Sequence, residues 1–173
     1  MRSSSCFGFR NLLTELGTVH VPFAVENPWF TGAADVVTYA LDELLCTKLR
    51  ALYQRKKGRD VFDLWYTLEA GRLDIPVLLS CFQRYMKEGG DTVTRAQMEE
   101  NLAGKRSDPD FRNDVSPLLR PGISWDFDAA LDGIIERVVA HLPGAPWKGT
   151  ENAKADGGNA HARDAMKGLL AKV

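Results

Sequence analysis

The chain has 173 residues, of which 45% are hydrophobic and 26% charged, and its formal net charge is −1. This length suits one domain with its own core, or a small domain with tails, and the composition is that of an ordinary globular protein. No apolar run approaches the ~20 residues of a membrane-spanning helix, so we expect no membrane partner. Cys6, Cys46 and Cys81 are widely spaced, which argues against a disulfide framework or a zinc site and indicates a cytoplasmic protein.

The first 40 residues predict a short β region. Residues 19–26 alternate apolar and polar side chains, as a half-buried strand does, and Pro22 restricts this strand to an edge. Residues 27–34 are rich in turn-forming types, and the β-branched residues 35–40 predict a second strand. The two strands either pair as a hairpin or form the edge of a larger sheet.

From Leu41 the apolar spacing becomes helical. The first predicted helix runs to about Lys56, where Gly58 ends it, and a second spans about residues 60–70. Later helices are predicted from Pro76 to before Gly89, from a capping box at Thr94 to about Lys105, and over about residues 128–142, with a proline-broken piece at 107–122.

These elements predict an α+β fold that is predominantly α. A short antiparallel strand pair would be followed by a helical bundle. We divide the chain into a β region (1–40), a helical domain (41–147) and a flexible tail (148–173), because the tail is small and polar.

Lys48 has an unusual position on the first predicted helix. The apolar stripe of that helix consists of Leu41, Leu44, Leu45, Leu49 and Leu52. At 100° per residue Lys48 falls in the middle of the stripe, and Arg55 lies on the same face. A buried ammonium is costly unless it is paired or faces a polar cleft. Three alternatives remain open for Lys48. Its aliphatic side chain extends past the leucines so that the ammonium reaches solvent, the ammonium pairs with a carboxylate, or the ammonium faces a bound anion.

Asp60 and Asp63 are the candidate partners on the second predicted helix. They lie one turn apart on one flank, which they share with Thr67. The two carboxylates could bind a cation, act as a general base, or hold Lys48 and Arg55 in position. Alternatively, Asp60 is the N-cap of this helix and Asp63 interacts with the helix dipole.

A basic block occupies residues 48–59, which contain no acid. Its cations are Lys48, Arg50, Arg55, Lys56, Lys57 and Arg59. Such a block is compatible with a phosphate-bearing partner. A solvated helix face with a basic last turn is the alternative.

Two motifs follow each other between Glu43 and Leu64. The first has the form E-L-x-x-x-K-x-x-A-x-x-x-R and runs from Glu43 through Lys48 to Arg55. The second, R-D-x-x-D-L, starts at Arg59. In residue type, order and spacing they resemble the AbiEii/AbiGii-type nucleotidyltransferase toxins of type IV toxin–antitoxin and abortive-infection systems. The resemblance covers about residues 21–147 and corresponds to the C-terminal part of that family's fold.

The resemblance implies a DNA polymerase β-like nucleotidyltransferase core followed by a helical domain. On this basis residues 1–40 would be a remnant of the core's β region, and the strand pair would be the edge of a nucleotidyltransferase-like sheet. It also implies transfer of a nucleotide from an NTP to an RNA acceptor such as tRNA, with Mg²⁺, and an antitoxin encoded in the same operon. In that scheme Lys48, Asp60 and Asp63 are catalytic, and Lys48, Arg55 and Arg59 bind the NTP phosphates. The reaction itself demands cations where negative charge builds up.

The family's Gly-Ser turn and the D-x-D strand that binds Mg²⁺ are not found in this sequence. The D-x-D at Asp126-Phe127-Asp128 opens a predicted helix, so we interpret it as a helix cap. In the family the catalytic D-x-D precedes the lysine helix. We therefore expect a chain that starts partway through the family's fold and has little or no transferase activity alone. The alternatives are a non-enzymatic helical module that binds RNA or protein through residues 48–59, and an inactive structural remnant.

Overall fold

The structure is a computed structural model that describes residues 14–149. Within them, two strands come first, β1 (Thr18–Asn27) and β2 (Phe30–Tyr39). The helices that follow are α1 (Leu41–Gln54), α2 (Arg59–Glu69), α3 (Ile75–Glu88), α4 (Arg95–Arg106), α5 (Pro109–Asn113) and α6 (Phe127–Arg137), with 3₁₀ turns at Ser116–Leu118 and Val139–His141. The fold is α+β and predominantly α, as the sequence predicts.

β1 and β2 pair as an antiparallel hairpin, which confirms the predicted strand pair. The Asn27 Oδ1 accepts hydrogen bonds from the amides of Trp29 and Phe30, at 3.0 and 2.9 Å, and so closes a tight turn. The second strand begins at Phe30, several residues before the predicted start at residue 35. Asn27 and its neighbours form the whole turn, so Gly32 is free to pair with Val25 in the ladder.

α1 ends at Gln54, and Arg55 is already extended, with φ −134° and ψ 167°. The predicted end near Lys56 is therefore slightly late. The Nζ of Lys105 on α4 donates to the carbonyl oxygens of Leu52 and Tyr53, at 2.5 and 2.9 Å. Carbonyl oxygens in the last turn of a helix have no hydrogen-bond donor within the helix, and here the ammonium of Lys105 is the donor.

Gly58 does not end α1, contrary to the prediction. It is the N-cap of α2, with an ordinary φ of −63°. A Cβ at this position would lie 2.0 Å from the carbonyl oxygen of Phe111. Glycine is needed here because the start of α2 approaches the backbone of α5 closely.

The predicted caps of two later helices are confirmed. Thr94 and Gln97 form the capping box of α4. Asp126 accepts a hydrogen bond from the amide of Ala129 at 3.0 Å, as the capping interpretation of this D-x-D requires. α6 ends at Arg137, before the predicted residue 142, because the chain tightens into a 3₁₀ turn.

The apolar faces of the helices meet in one core. α1 packs between α2 and α3, and α2 also packs against α6. Fully buried side chains from these helices and α4 include Leu49, Leu52, Leu64, Phe82, Met98 and Leu131. Each such side chain contributes roughly 1.5–3 kcal/mol on burial. This packing holds the α1–α2 junction in one geometry.

Some predictions fall on residues 1–13 and 150–173, which lie outside the described residues. They include Cys6 and nearly all of the predicted tail at 148–173. Cys46 and Cys81 are buried free thiols, and burial is the main cause that raises the pKa of each. Among residues 14–149, no helix is long and apolar enough to cross a membrane.

Candidate functional site

The predicted contact between α1 and α2 is present in the structure. The Nζ of Lys48 lies 2.8 Å from the Oδ2 of Asp63 and 3.8 Å from the Oδ1 of Asp60. The Lys48 side chain remains 31% exposed. Its ammonium therefore joins two helices while keeping access to solvent.

Asp60 is the buried centre of this site, with 0% of its side chain exposed. The Nε and Nη2 of Arg55 donate to its Oδ2 and Oδ1, both at 2.9 Å. A bidentate guanidinium and a nearby ammonium offset the cost of removing the carboxylate from water. The hydrogen bond and the charge of Asp60 raise the pKa of Arg55. The capping interpretation of Asp60 is wrong, because Gly58 occupies the N-cap and Asp60 binds side chains.

Asp63 has different surroundings from Asp60. Its side chain is 38% exposed, and its ion-pair partner is Lys48. The backbone carbonyl of Asp63 accepts a hydrogen bond from the Thr67 hydroxyl at 2.9 Å. The carboxylate of Asp63 is therefore the accessible member of the pair.

Lys48 lies at the border of the buried face of α1, so its predicted place in the middle of the apolar stripe is wrong. Leu44 is exposed, whereas Glu43 and Cys46 are fully buried. α3 packs on the side of α1 that carries Glu43, which hydrogen-bonds Tyr85. Because α1 packs in this orientation, Lys48 lies at the edge of the core.

Four of the six cations of the basic block form ion pairs, and two of these pairs involve acids from the α5 region. The Nζ of Lys56 lies 3.0 Å from the Oδ2 of Asp108. Asp114 accepts from the backbone amide of Arg59 at 3.2 Å, and the Arg59 Nε lies 3.6 Å from the same oxygen. With Lys48 and Arg55 bound to the α2 aspartates, residues 48–59 do not form a continuous positive patch.

The sequence model of the family described as "Nucleotidyl transferase AbiEii toxin, Type IV TA system" matches residues 7–133, most of the chain and the whole site. The chain belongs to this family. No curated protein and no solved structure matches the chain. Membership in AbiEii implies nucleotidyltransferase chemistry, a nucleotide substrate and an antitoxin partner.

The described carboxylates of this AbiEii chain do not fit a magnesium site. Nucleotidyltransferase chemistry generally depends on a metal ion and an NTP. Both oxygens of Asp60 face cations, and Asp128 is bound by Arg106 and Arg112. The hydrogen bond from Arg112 is the main cause that holds the pKa of Asp128 well below its usual range. Among the residues with assigned positions, no group of three potential ligands could hold a metal ion.

Glu43 is a structural residue of the AbiEii motif whose role the sequence did not reveal. Its oxygens accept from the amides of Glu15 and Leu16, at 2.8 and 2.9 Å, and from the Tyr85 hydroxyl at 2.5 Å. Burial raises the pKa of Glu43, but these three donors together lower it below its ordinary value. Glu43 thus ties the segment before β1 to α1 and α3. Its position as the first residue of the motif was the available signal.

Lys105 is the second buried charge that the sequence did not single out. It is buried against the end of α1, beside the Lys48 site. Burial, followed by the charge of Lys56, lowers the pKa of Lys105 to about 8, while Asp60 acts in the opposite direction. A lysine in the last turn of α4 is an ordinary pattern, so no local signal marked it.

Proposed function

We propose that this chain forms the phosphate-binding side of a nucleotidyltransferase site. Lys48 binds the phosphates of an NTP whose nucleotide is transferred to an RNA acceptor such as tRNA. The observation that supports this is the partly exposed side chain of Lys48, whose ammonium lies 2.8 Å from an accessible carboxylate and 3.8 Å from a buried one. Such a cation is held in place and still reaches solvent.

The two aspartates have separate roles in this proposal. An exposed ion pair such as Lys48–Asp63 contributes about 1 kcal/mol or less, so a polyanionic triphosphate can replace Asp63 at small cost. Asp60 stays bound to Arg55 and positions Lys48 from the buried side. Negative charge that builds up during transfer then meets a preorganised cation.

Arg55 and Arg59 are supporting cations. Each is about half exposed, although each already has a carboxylate partner. The 3.6 Å contact of Arg59 with Asp114 is the longer of the two, so Arg59 is the easier to redirect toward a phosphate.

Binding of NTPs tests the proposal without requiring turnover. Fluorescent analogues of the four NTPs would be titrated into the purified chain and into Lys48→Ala. Loss of one charge-assisted phosphate contact, worth about 1.5–3 kcal/mol, predicts roughly 10- to 150-fold weaker binding.

Lys87→Ala is the matched control, because Lys87 is an exposed lysine on α3. It should bind NTPs as the unmodified chain does. The proposal fails if the chain binds no NTP, or if Lys48→Ala binds as tightly as Lys87→Ala. Labelling of tRNA from labelled NTPs that is lost in Lys48→Ala would establish the reaction and the acceptor class together.

The alternative function, a binding module that uses residues 48–59 as a positive patch, gains no support from the pairing of charges. Lys48, Arg55, Lys56 and Arg59 each contact an aspartate. Cations that are already paired release fewer counterions on binding RNA, which weakens the electrostatic argument for such a module.

A further inference from the structure

Four aromatic rings form a cluster along α2 and reach from the core to the surface. Phe62 is central, with ring centroids 5.8 Å from Trp65 and Tyr66 and 5.2 Å from Trp125. Trp65 and Trp125 pack against the core. Tyr66 is 60% exposed at the outer end of the cluster.

Tyr66 presents a supported ring to solvent. Its plane is inclined only 20° to that of Phe62, so the two rings are nearly parallel. In the described part of the chain, Phe62 is the aromatic ring that contacts the Tyr66 ring, with centroids 5.8 Å apart. Phe62 is held in turn by the two tryptophans. A ring whose orientation is set before binding loses little conformational entropy when a ligand stacks on it.

The exposed ring is next to the Lys48 site. Asp63 and Tyr66 are three residues apart on α2, so they are neighbours on the helix surface at about 5–6 Å between Cβ atoms. Arg59 lies one turn before Phe62 on the same exposed side. Since Lys48 binds Asp63, cations and an aromatic surface lie side by side.

We infer that Tyr66, supported by Phe62, stacks an unpaired base of single-stranded RNA, with Arg59 beside the RNA backbone. This inference rests on the proposed function, because the base would belong to the RNA acceptor. Aromatic side chains combined with cations along one surface are how proteins bind single strands, and stacking tolerates any base. The pairing of the basic block leaves stacking as the larger source of affinity here.

Packing of the protein interior explains three of the four rings in the cluster, but it does not explain the exposed ring of Tyr66. Trp65, Trp125 and Phe62 fill the space between α2 and the segment before α6, and they are partly buried. Tyr66 lies at the edge of this packing and keeps 60% of its surface exposed. A single exposed aromatic needs no explanation, but one stacked beside a cationic site supports a ligand contact.

The test uses the full chain and a short single-stranded oligoribonucleotide that contains 2-aminopurine, whose fluorescence is quenched on stacking. Removal of one stacking ring predicts that Tyr66→Ala binds this RNA about 5- to 150-fold more weakly. Tyr66→Phe keeps the ring and should bind within about 2-fold of the unmodified chain. Trp29→Ala is the control, because Trp29 is a 93% exposed aromatic in the hairpin turn.

The inference is overturned if Tyr66→Ala retains RNA affinity, if Trp29→Ala loses as much, or if a duplex of the same sequence competes equally. Weaker binding of NTPs, instead of RNA, by Tyr66→Ala would assign the ring to the NTP base and overturn the RNA assignment. The NTP titrations of Lys48→Ala and Lys87→Ala are separate measurements. A failure of the stacking inference is therefore distinguishable from a failure of the proposed function.

Discussion

At the α1–α2 junction, two aspartates one turn apart have become chemically different residues. Asp60 has no solvent contact and is bound through both oxygens by Arg55, whereas Asp63 is accessible and contacts Lys48. The sequence placed them on one flank and could not rank them. This difference in burial supports our proposal that Asp60 positions Lys48 and that Asp63 is replaced by the ligand.

Asparagine substitutions at the two positions should differ in their effect on stability. Asp60→Asn leaves Arg55 without its bidentate partner, and because Arg55 is half exposed we expect a loss of about 2 kcal/mol in the free energy of unfolding. Asp63→Asn removes an exposed pair and should lose about 1 kcal/mol or less. Urea denaturation followed by circular dichroism measures both values. Equal losses would contradict the separate roles.

At the scale of the element, the end of α1 is determined by another helix. Lys105 on α4 donates to two carbonyls in the last turn of α1, although it is 53 residues from Leu52. Its pKa of about 8 lies below the ordinary value of 10.5 because burial disfavours the ammonium. Lys105 therefore binds its proton less tightly in the folded chain than in the unfolded chain.

This lowered pKa predicts a pH dependence of stability. Between pH 8 and 10.5 the unfolded chain keeps a proton on Lys105 that the folded chain has lost, so the free energy of unfolding rises with pH. This gain in the free energy of unfolding is complete above about pH 10.5 and is lost as the pH falls through about 8.

Comparison with Lys105→Met isolates this contribution from the other groups that titrate at high pH. The stability of the unmodified chain relative to the variant should rise by up to about 1.4 kcal/mol per pH unit in that window. Denaturant titrations at several pH values measure the difference. A difference that is flat or falls with pH would show that Lys105 is not held with a lowered pKa.

At the scale of the whole molecule, the hairpin and the helical bundle differ in how they are held. Val21 pairs with Val36 and Phe23 with Ala34, so these residues share one face of the hairpin, and most of that face is exposed. A two-stranded hairpin is marginally stable by itself. In the described chain, the segment before β1 is attached to the bundle by hydrogen bonds from the amides of Glu15 and Leu16 to Glu43, and by the ion pair of Glu15 with Arg84.

Hydrogen exchange should separate these two parts. We expect the amides of β1 and β2 to exchange through local opening well before those of α1 and α3, which surround the core. Mass spectrometry of exchanged peptides measures the order. Equal protection of the hairpin and α1 would mean that the two parts open as one cooperative unit.

Much of the architecture could be predicted from local patterns. The helical period from Leu41, the capping box at Thr94 and the alternation in β1 correctly predicted the elements, because each pattern reflects interactions between near neighbours. The ends were less accurate where a distant group decides them, as Lys105 does for α1 and Phe111 for Gly58.

The motifs from Glu43 to Leu64 predicted the AbiEii family and the approach of Lys48 to Asp60 and Asp63, and both predictions are confirmed. The approach follows from sequence because the spacing within each helix sets which side chains share a face, and the short connection at 55–58 brings the two helices together.

Only the tertiary structure decided that Asp60 is buried, and that two cations of the basic block pair with acids distant in the sequence. Lys56 and Asp108 are 52 residues apart, and Arg59 and Asp114 are 55 apart. Burial and ion pairing between such positions depend on how helices pack, and no periodicity within one segment records that packing.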